Sequence, residues 1–172
     1  MEKTTIKNII LIHGLILGIL SMLIAVVKYA FANNYLEKNV IEQIVSILIM
    51  LIMIVIPIKA FKKSNNSFLS LSQSIKIGLG VSLIASLLVI IYIYVFSNFI
   101  EPDFKNQLIS IEIKKMEVAN TPSKTIETAV DMMNNYFMPI MYFSIIIVNL
   151  LLGLIFSLIT GLVLKKEENN FN

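Results

Sequence analysis

Few side chains in this sequence could do chemistry, and they are scattered through long apolar runs. His13 lies about one helical turn inside the end of the first run, and Ser82 and Thr160 sit at similar depth in two others. Together they could form a small polar site opening to one face of a membrane, with His13 as its titrating member. The plainer reading is a neutral imidazole hydrogen-bonded between helices. Asn149, near the middle of the last run and level with Ser86, needs a partner in hydrocarbon. Such interhelical bonds average only about 0.6 kcal/mol, so Asn149 reads as helix glue ahead of substrate recognition. Glu101, Asp103, Glu112 and Glu117 could be drawn as metal ligands or a carboxylate pair, but Lys105, Lys114 and Lys115 are interleaved and no His assists. They read as a solvated helix face, and no metal or cofactor is expected. No nucleophile is paired with a base, and there is no phosphate loop or metal-ligand spacing. The sequence points away from an enzyme.

Composition says what must position these groups. Of 172 residues, 57% are hydrophobic and 15% charged, whereas charged residues make up about a quarter of a soluble domain. The excess belongs in lipid. The net charge of +3 comes from 14 Lys and no Arg against 11 acids. Without the bidentate Arg fork, nucleic-acid binding has no support. The absence of Cys excludes disulfides, thiolate catalysis and sulfur-ligated metal. The bias to Lys, Ile and Asn over Arg resembles an AT-rich bacterial genome. No Asp, Glu or Lys falls within a span core, so the usual sign of ion-coupled transport is missing.

The pattern predicts an all-α polytopic membrane protein, a single domain over 1–172, with four transmembrane helices at about 9–27, 40–60, 77–100 and 136–164. The clearest span lies between Lys76 and Glu101, where 24 uncharged residues would reach roughly 36 Å as a helix, enough for about 30 Å of hydrocarbon. The first run follows lysines and ends near Ala30-Phe31-Ala32, which resembles a signal-peptidase site. It exceeds the ~7–15 residue signal core, so it is expected to be retained. The second span is short unless Val40 and Ile41 join it and Glu42 snorkels to the interface, with Pro57 and Lys59 marking its far end. Residues 101–135 form an outward amphipathic segment, read as two short helices broken at Asn120-Thr121-Pro122-Ser123.

Small residues are better organised than polar ones. Gly14 and Gly18 make a Gly-x-x-x-Gly step, Gly78, Ser82 and Ser86 continue the pattern in the third span, and Gly153, Ser157 and Gly161 do so in the fourth. Such ridges let helix backbones approach closely in lipid. Spans one, three and four are therefore expected to make the tight contacts. Span two, almost without small residues, should sit peripherally or meet lipid. Four spans put both termini and the 59–76 loop on one side, where lysines predominate, and that side should be cytoplasmic. The protein would then be a multi-pass protein of the bacterial inner membrane.

Leu71 to Gly78, the span that follows, and Phe99-Ile-Glu-Pro-Asp-Phe104 resemble a small bacterial membrane family labelled as domain of unknown function 4199. Gly14 and Gly18, Pro102-Asp103-Phe104, Glu112 to Met116, and Gly153 to Lys166 fill the places of its pattern over nearly the whole chain. The resemblance implies a four-span inner-membrane protein and transfers no activity, cofactor or site.

The resulting expectation is a non-catalytic accessory or assembly subunit in the lipid bilayer. It would touch another membrane or envelope protein through residues 104–133 or its small-residue ridges. The alternative is a small transporter or lipid-handling protein with a cavity among spans one, three and four. A polar cavity aligning His13, Ser82 and Thr160 would favour transport. A filled core with an exposed apolar patch on 104–133 would favour the partner.

Overall fold

The computed structural model describes residues 5–32, 34–37 and 39–166. Five helices follow in order: α1 (Ile6–Phe31), α2 (Val40–Ser64), α3 (Leu71–Val95), α4 (Phe104–Val118) and α5 (Ser123–Leu164). All but α4 are long and apolar enough to cross a membrane, and no strand occurs among the described residues. The chain is thus all-α and multi-pass. Glu2, Lys3, Lys38, Glu167 and Glu168, which enter the charge argument, lie outside the described residues.

Local chemistry sets the helix ends. The Asn39 side chain accepts from Ile41 N–H at 2.9 Å and starts α2, with Glu42 in its first turn and Lys62 and Lys63 in its last. These charges oppose the helix dipole at both ends. Asn66 and Ser67 then take φ of 51° and 66°, the left-handed turn that stops the helix. Ser70 and Gln73 form a reciprocal capping box ahead of α3, with side chain and backbone exchanged at 2.9 and 3.2 Å. The break at 120–123 is a Schellman ending of α4. Asn120 sits at φ 55°, Thr121 N–H donates to Met116 O at 3.0 Å, and Asn120 N–H donates to Glu117 O at 2.9 Å.

Two boundaries differ from the sequence reading. The helix of the second span does not stop at Pro57 and Lys59, since α2 runs on to Ser64. The second short amphipathic helix does not exist separately either: residues 123–135 are the start of the 42-residue α5. Nothing between Asn135 and Tyr136 favours a turn. Pro139 removes only the donor that would meet the Asn135 carbonyl, and both residues are exposed. At 1.5 Å per residue α5 is about 63 Å long, twice the hydrocarbon thickness, so part of it lies outside the bilayer.

The chain divides into two compact units. The first is Met1–Val89 with Ile146–Asn172. Its core joins Ile9 and Leu17 of α1, Ile54 and Ile58 of α2, and Ile77 and Val81 of α3. The α1–α2 turn is held by the Lys28–Glu42 ion pair at 2.5 Å and an edge-on Tyr29–Tyr35 contact. Glu42 thus has a cationic partner at the turn. The opposite end is tied by paired backbone bonds between Leu69 and Lys166 and by Lys62 Nζ, which donates to the last carbonyl of α5, Leu164 O, at 2.8 Å.

The second unit is Ile90–Ile145. After Val95 the helix widens by a residue, and Glu101 N–H donates five residues back to Phe96 O at 2.8 Å. Phe96 is buried, stacked on Tyr92 and edge-on to Phe104. This aromatic cluster turns the chain from α3 into α4. Lys105 Nζ then reaches across to Asn134 O at 2.6 Å, fastening α4 to the first part of α5.

Candidate functional site at the helix seam

The antiparallel contact of α3 with α5 in the first unit is built from side chains too small to keep the backbones apart. Gly78, Ser82 and Ser86 on α3, and Gly153, Ser157 and Gly161 on α5, are all buried. A Cβ placed on Gly78 would fall 2.6 Å from Ser157 Oγ and 2.8 Å from the Gly153 carbonyl oxygen, with Ser157 Cβ nearer still. One on Gly153 would collide with the Ser82 side chain, and one on Gly161 would come within 2.8 Å of Ser74 Cβ. Gly and Ser therefore alternate across the seam: Ser74 against Gly161, Gly78 against Ser157, Ser82 against Gly153.

The second close contact is parallel, between α1 and α3. A Cβ on Gly14 would meet Ile84 Cβ at 2.7 Å, and one on Gly18 would meet Leu88 Cβ at 2.9 Å. Here glycines receive large side chains, knob into hole. Gly80 on α3 does the reverse and takes the Ile10 side chain. The sequence reading missed both Gly80 and Ser74. Ser74 continues the same four-residue step one turn earlier, beyond the span edge that Lys76 marks in the sequence. That lysine is exposed while Ser74 is completely buried, so a charge marks the edge on its own face only.

The seam hydroxyls are already engaged. Ser82 donates to Gly78 O at 2.9 Å and Ser86 to Ser82 O at 2.8 Å, each along its own helix. Ser74 alone bridges the seam, donating to Ser157 O at 2.7 Å. Replacing it with Ala is expected to cost about 0.5–1.5 kcal/mol, the range of interhelical bonds in membranes, in unfolding from mixed micelles. A change of several kcal/mol would mean that the bond, not the close approach, holds the seam.

His13, Ser82 and Thr160 of the speculative polar layer each bond to backbone. His13 is half-buried, and its Nδ1–H donates to Ile9 O at 2.9 Å. Thr160 donates to Phe156 O at 2.7 Å. Each of His13, Ser82 and Thr160 is thus bonded along its own helix. Asn149 instead lines a crevice of about 140 Å³ bounded by Leu17, Ser21, Ser46, Met50 and Ala85 among others. Ser21 and Ser46 also donate to carbonyls of their own helices, Leu17 O and Glu42 O. The crevice draws on α2 as well as on α1, α3 and α5.

Span two corrects the sequence reading further. Met50, Ile54, Pro57, Ile58 and Phe61 form a buried face, with Ile54 and Ile58 completely enclosed. Its other face, with Leu48, Ile52 and Ile56, is exposed. Large side chains do on this helix what close approach does on the other three. The buried residues at steps of four and three from Met50 to Phe61 carried the signal, hidden because nearly every residue of the span is apolar.

Among the acids of residues 101–135, Glu112 pairs with Lys115 at 2.5 Å, and Asp103 accepts from Asn106 Nδ2 at 2.9 Å. Glu101 accepts from Gln107 Nε2 at 3.0 Å, and Glu117 is exposed. Their partners are Lys, Asn and Gln side chains on the same segment. They are helix-end and surface groups. On this segment Val118 is 84% exposed and Met132 58% exposed, the largest apolar exposures on residues 104–133.

Residues 12–166 match a family model described as Protein of unknown function (DUF4199). No curated protein and no solved structure matches the chain significantly.

Proposed function

The chain belongs to this family of proteins of unknown function, and we propose that it is a non-catalytic accessory or assembly subunit of the bacterial inner membrane. The observation that carries the reading is the closed seam. Where α3 meets α5 there is no room for a methyl group, the hydroxyls are bonded to backbone carbonyls, and no Asp, Glu or Lys falls within a span core. An ion or polar substrate has no path there. What remains to act on another protein is surface, and the α4–α5 hairpin supplies it outside the bilayer. Val118 at the tip of α4 is 84% exposed and gives a position from which a partner of the hairpin can be captured.

A photoreactive residue at Val118, activated in growing cells, should give one discrete adduct with a membrane or envelope protein. Adducts absent at Val118, together with solute flux through the purified protein in liposomes, would overturn the reading in favour of transport. The transporter or lipid-handling alternative draws on the crevice around Asn149.

The lysines support the proposed orientation, with both termini cytoplasmic. Lys59, Lys62, Lys63, Lys76, Lys165 and Lys166 share one end of the span bundle by connectivity, and basic loops stay cytoplasmic. The chain lacks Cys, so single cysteines report topology cleanly. Ser123→Cys should react with an impermeant thiol reagent on intact spheroplasts, and Ser67→Cys only after lysis. The opposite pattern would reverse the assignment.

A further inference from the structure

Within the second unit, α4 and α5 leave a groove of about 340 Å³ along their flank. Its walls are Met116 from α4 and Ala129, Met132, Met133, Phe137 and Ile140 from α5. The one charged residue on it, Glu112, is neutralised by Lys115. Three thioether side chains give a wall that is apolar, unbranched and adaptable, suited to an occupant of irregular shape.

The direction of the groove identifies that occupant. Met132, Tyr136, Ile140 and Phe143 are all exposed, and their spacing of four, four and three puts them on one stripe of α5. The stripe runs from the groove into the part of α5 that carries no charge between Asp131 and Lys165. Tyr136 stands just past the first turn of that run, after the polar Asn134 and Asn135, as aromatic side chains do at a headgroup boundary. One end of the groove is therefore at the level of lipid chains and the other is beyond it.

We propose that the groove takes one acyl chain of a bilayer phospholipid, which leaves its leaflet along the Phe143–Met132 stripe. The size fits. An apolar cavity of about 150 Å³ accepts six-carbon benzene, so 340 Å³ accepts a chain of roughly a dozen carbons. Ala129 to Ile140 spans about 16 Å of helix, which makes the groove long and narrow. A partner helix, about 10 Å across, would need a much wider trough. The inference stands apart from the accessory reading, which rests on the seam and on Val118.

The full chain is reconstituted in liposomes of phosphatidylethanolamine and phosphatidylglycerol carrying a trace of lipid with a diazirine at the chain end. After irradiation, adducts are mapped by mass spectrometry. Label is expected on residues 112–133 as well as on the lipid-facing part of α5 around Ile159. Met133→Asp and Met133→Trp, one polar and one filling the groove, should each reduce the 112–133 label at least tenfold while leaving the Ile159 region labelled. Met133→Leu should retain it. If Met133→Asp fails to fold, Met133→Trp decides. Label confined to residues beyond Ile140, label insensitive to groove filling, or a cross-link from Met133 to a second copy or another protein in place of lipid would overturn the proposal.

Discussion

Gly78→Ala is expected to destabilise the protein by about 1–3 kcal/mol, the range for overpacking a close-fitted interior, and Gly78→Leu to prevent accumulation of folded protein. The added methyl has nowhere to go. Its neighbours at 2.6 and 2.8 Å are Ser157 Oγ and the Gly153 carbonyl oxygen, and a backbone carbonyl cannot move without moving α5. The helices must separate, and separation weakens every other contact of the seam, including the Ser74–Ser157 bond. In lipid this loss is not offset by hydrophobic association, because acyl chains are as apolar as the faces they would cover. Gly80→Ala is the control. The three atoms nearest its added methyl all belong to the Ile10 side chain, at 2.7–3.0 Å, and a displaced rotamer costs about 0.5–1.5 kcal/mol. Unfolding in mixed micelles by increasing SDS, followed by circular dichroism, measures both. Equal losses for Gly78 and Gly80 would show that backbone approach across α3 and α5 is not what holds the unit together.

The difference between those two glycines also shows how much the sequence could tell. Four spans were legible because the bilayer imposes a length, and α1, α3 and α5 carry long uncharged runs that no soluble core requires. The four-residue steps from Gly14, Gly78 and Gly153 were legible because small residues stand out against Ile and Leu. Which ridge meets which was not legible. A Gly-Ser alternation across an antiparallel pair and a glycine receiving Ile84 across a parallel pair look alike along one strand of sequence. The polar residues are ambiguous in a similar way. His13, Ser82 and Thr160 share a depth, but depth fixes only one coordinate of three, and each hydrogen-bonds a carbonyl four residues back on its own helix. The merging of residues 123–135 into α5 is masked in the sequence by Pro139, an exposed interior residue of the longer helix. Family membership adds the order of the motifs and leaves their roles to the geometry.

Ile54→Ala is the second large expected effect, and it tests the helix that the sequence reading set aside. Ile54 and Ile58 are completely buried on α2, in one core with residues of α1 and α3. Truncation leaves a void in lipid-inaccessible space, so its packing contacts are lost without replacement. Soluble cores lose about 2–5 kcal/mol for such a change. Part of that figure is transfer from water, which does not apply to a span that remains in hydrocarbon when helices part, so about 1–3 kcal/mol is expected here. Ile52→Ala, on the exposed face of the same helix, removes the same atoms where acyl chains can fill the space, and it should change stability by no more than about 0.5 kcal/mol. The pair is measured by the same SDS unfolding. If α2 merely leaned on the other spans, both substitutions would be neutral and the fold would rest on the small-residue ridges alone. A loss confined to Ile54 would instead make α2 a structural member of the unit, packed by size and shape where its neighbours are packed by close approach.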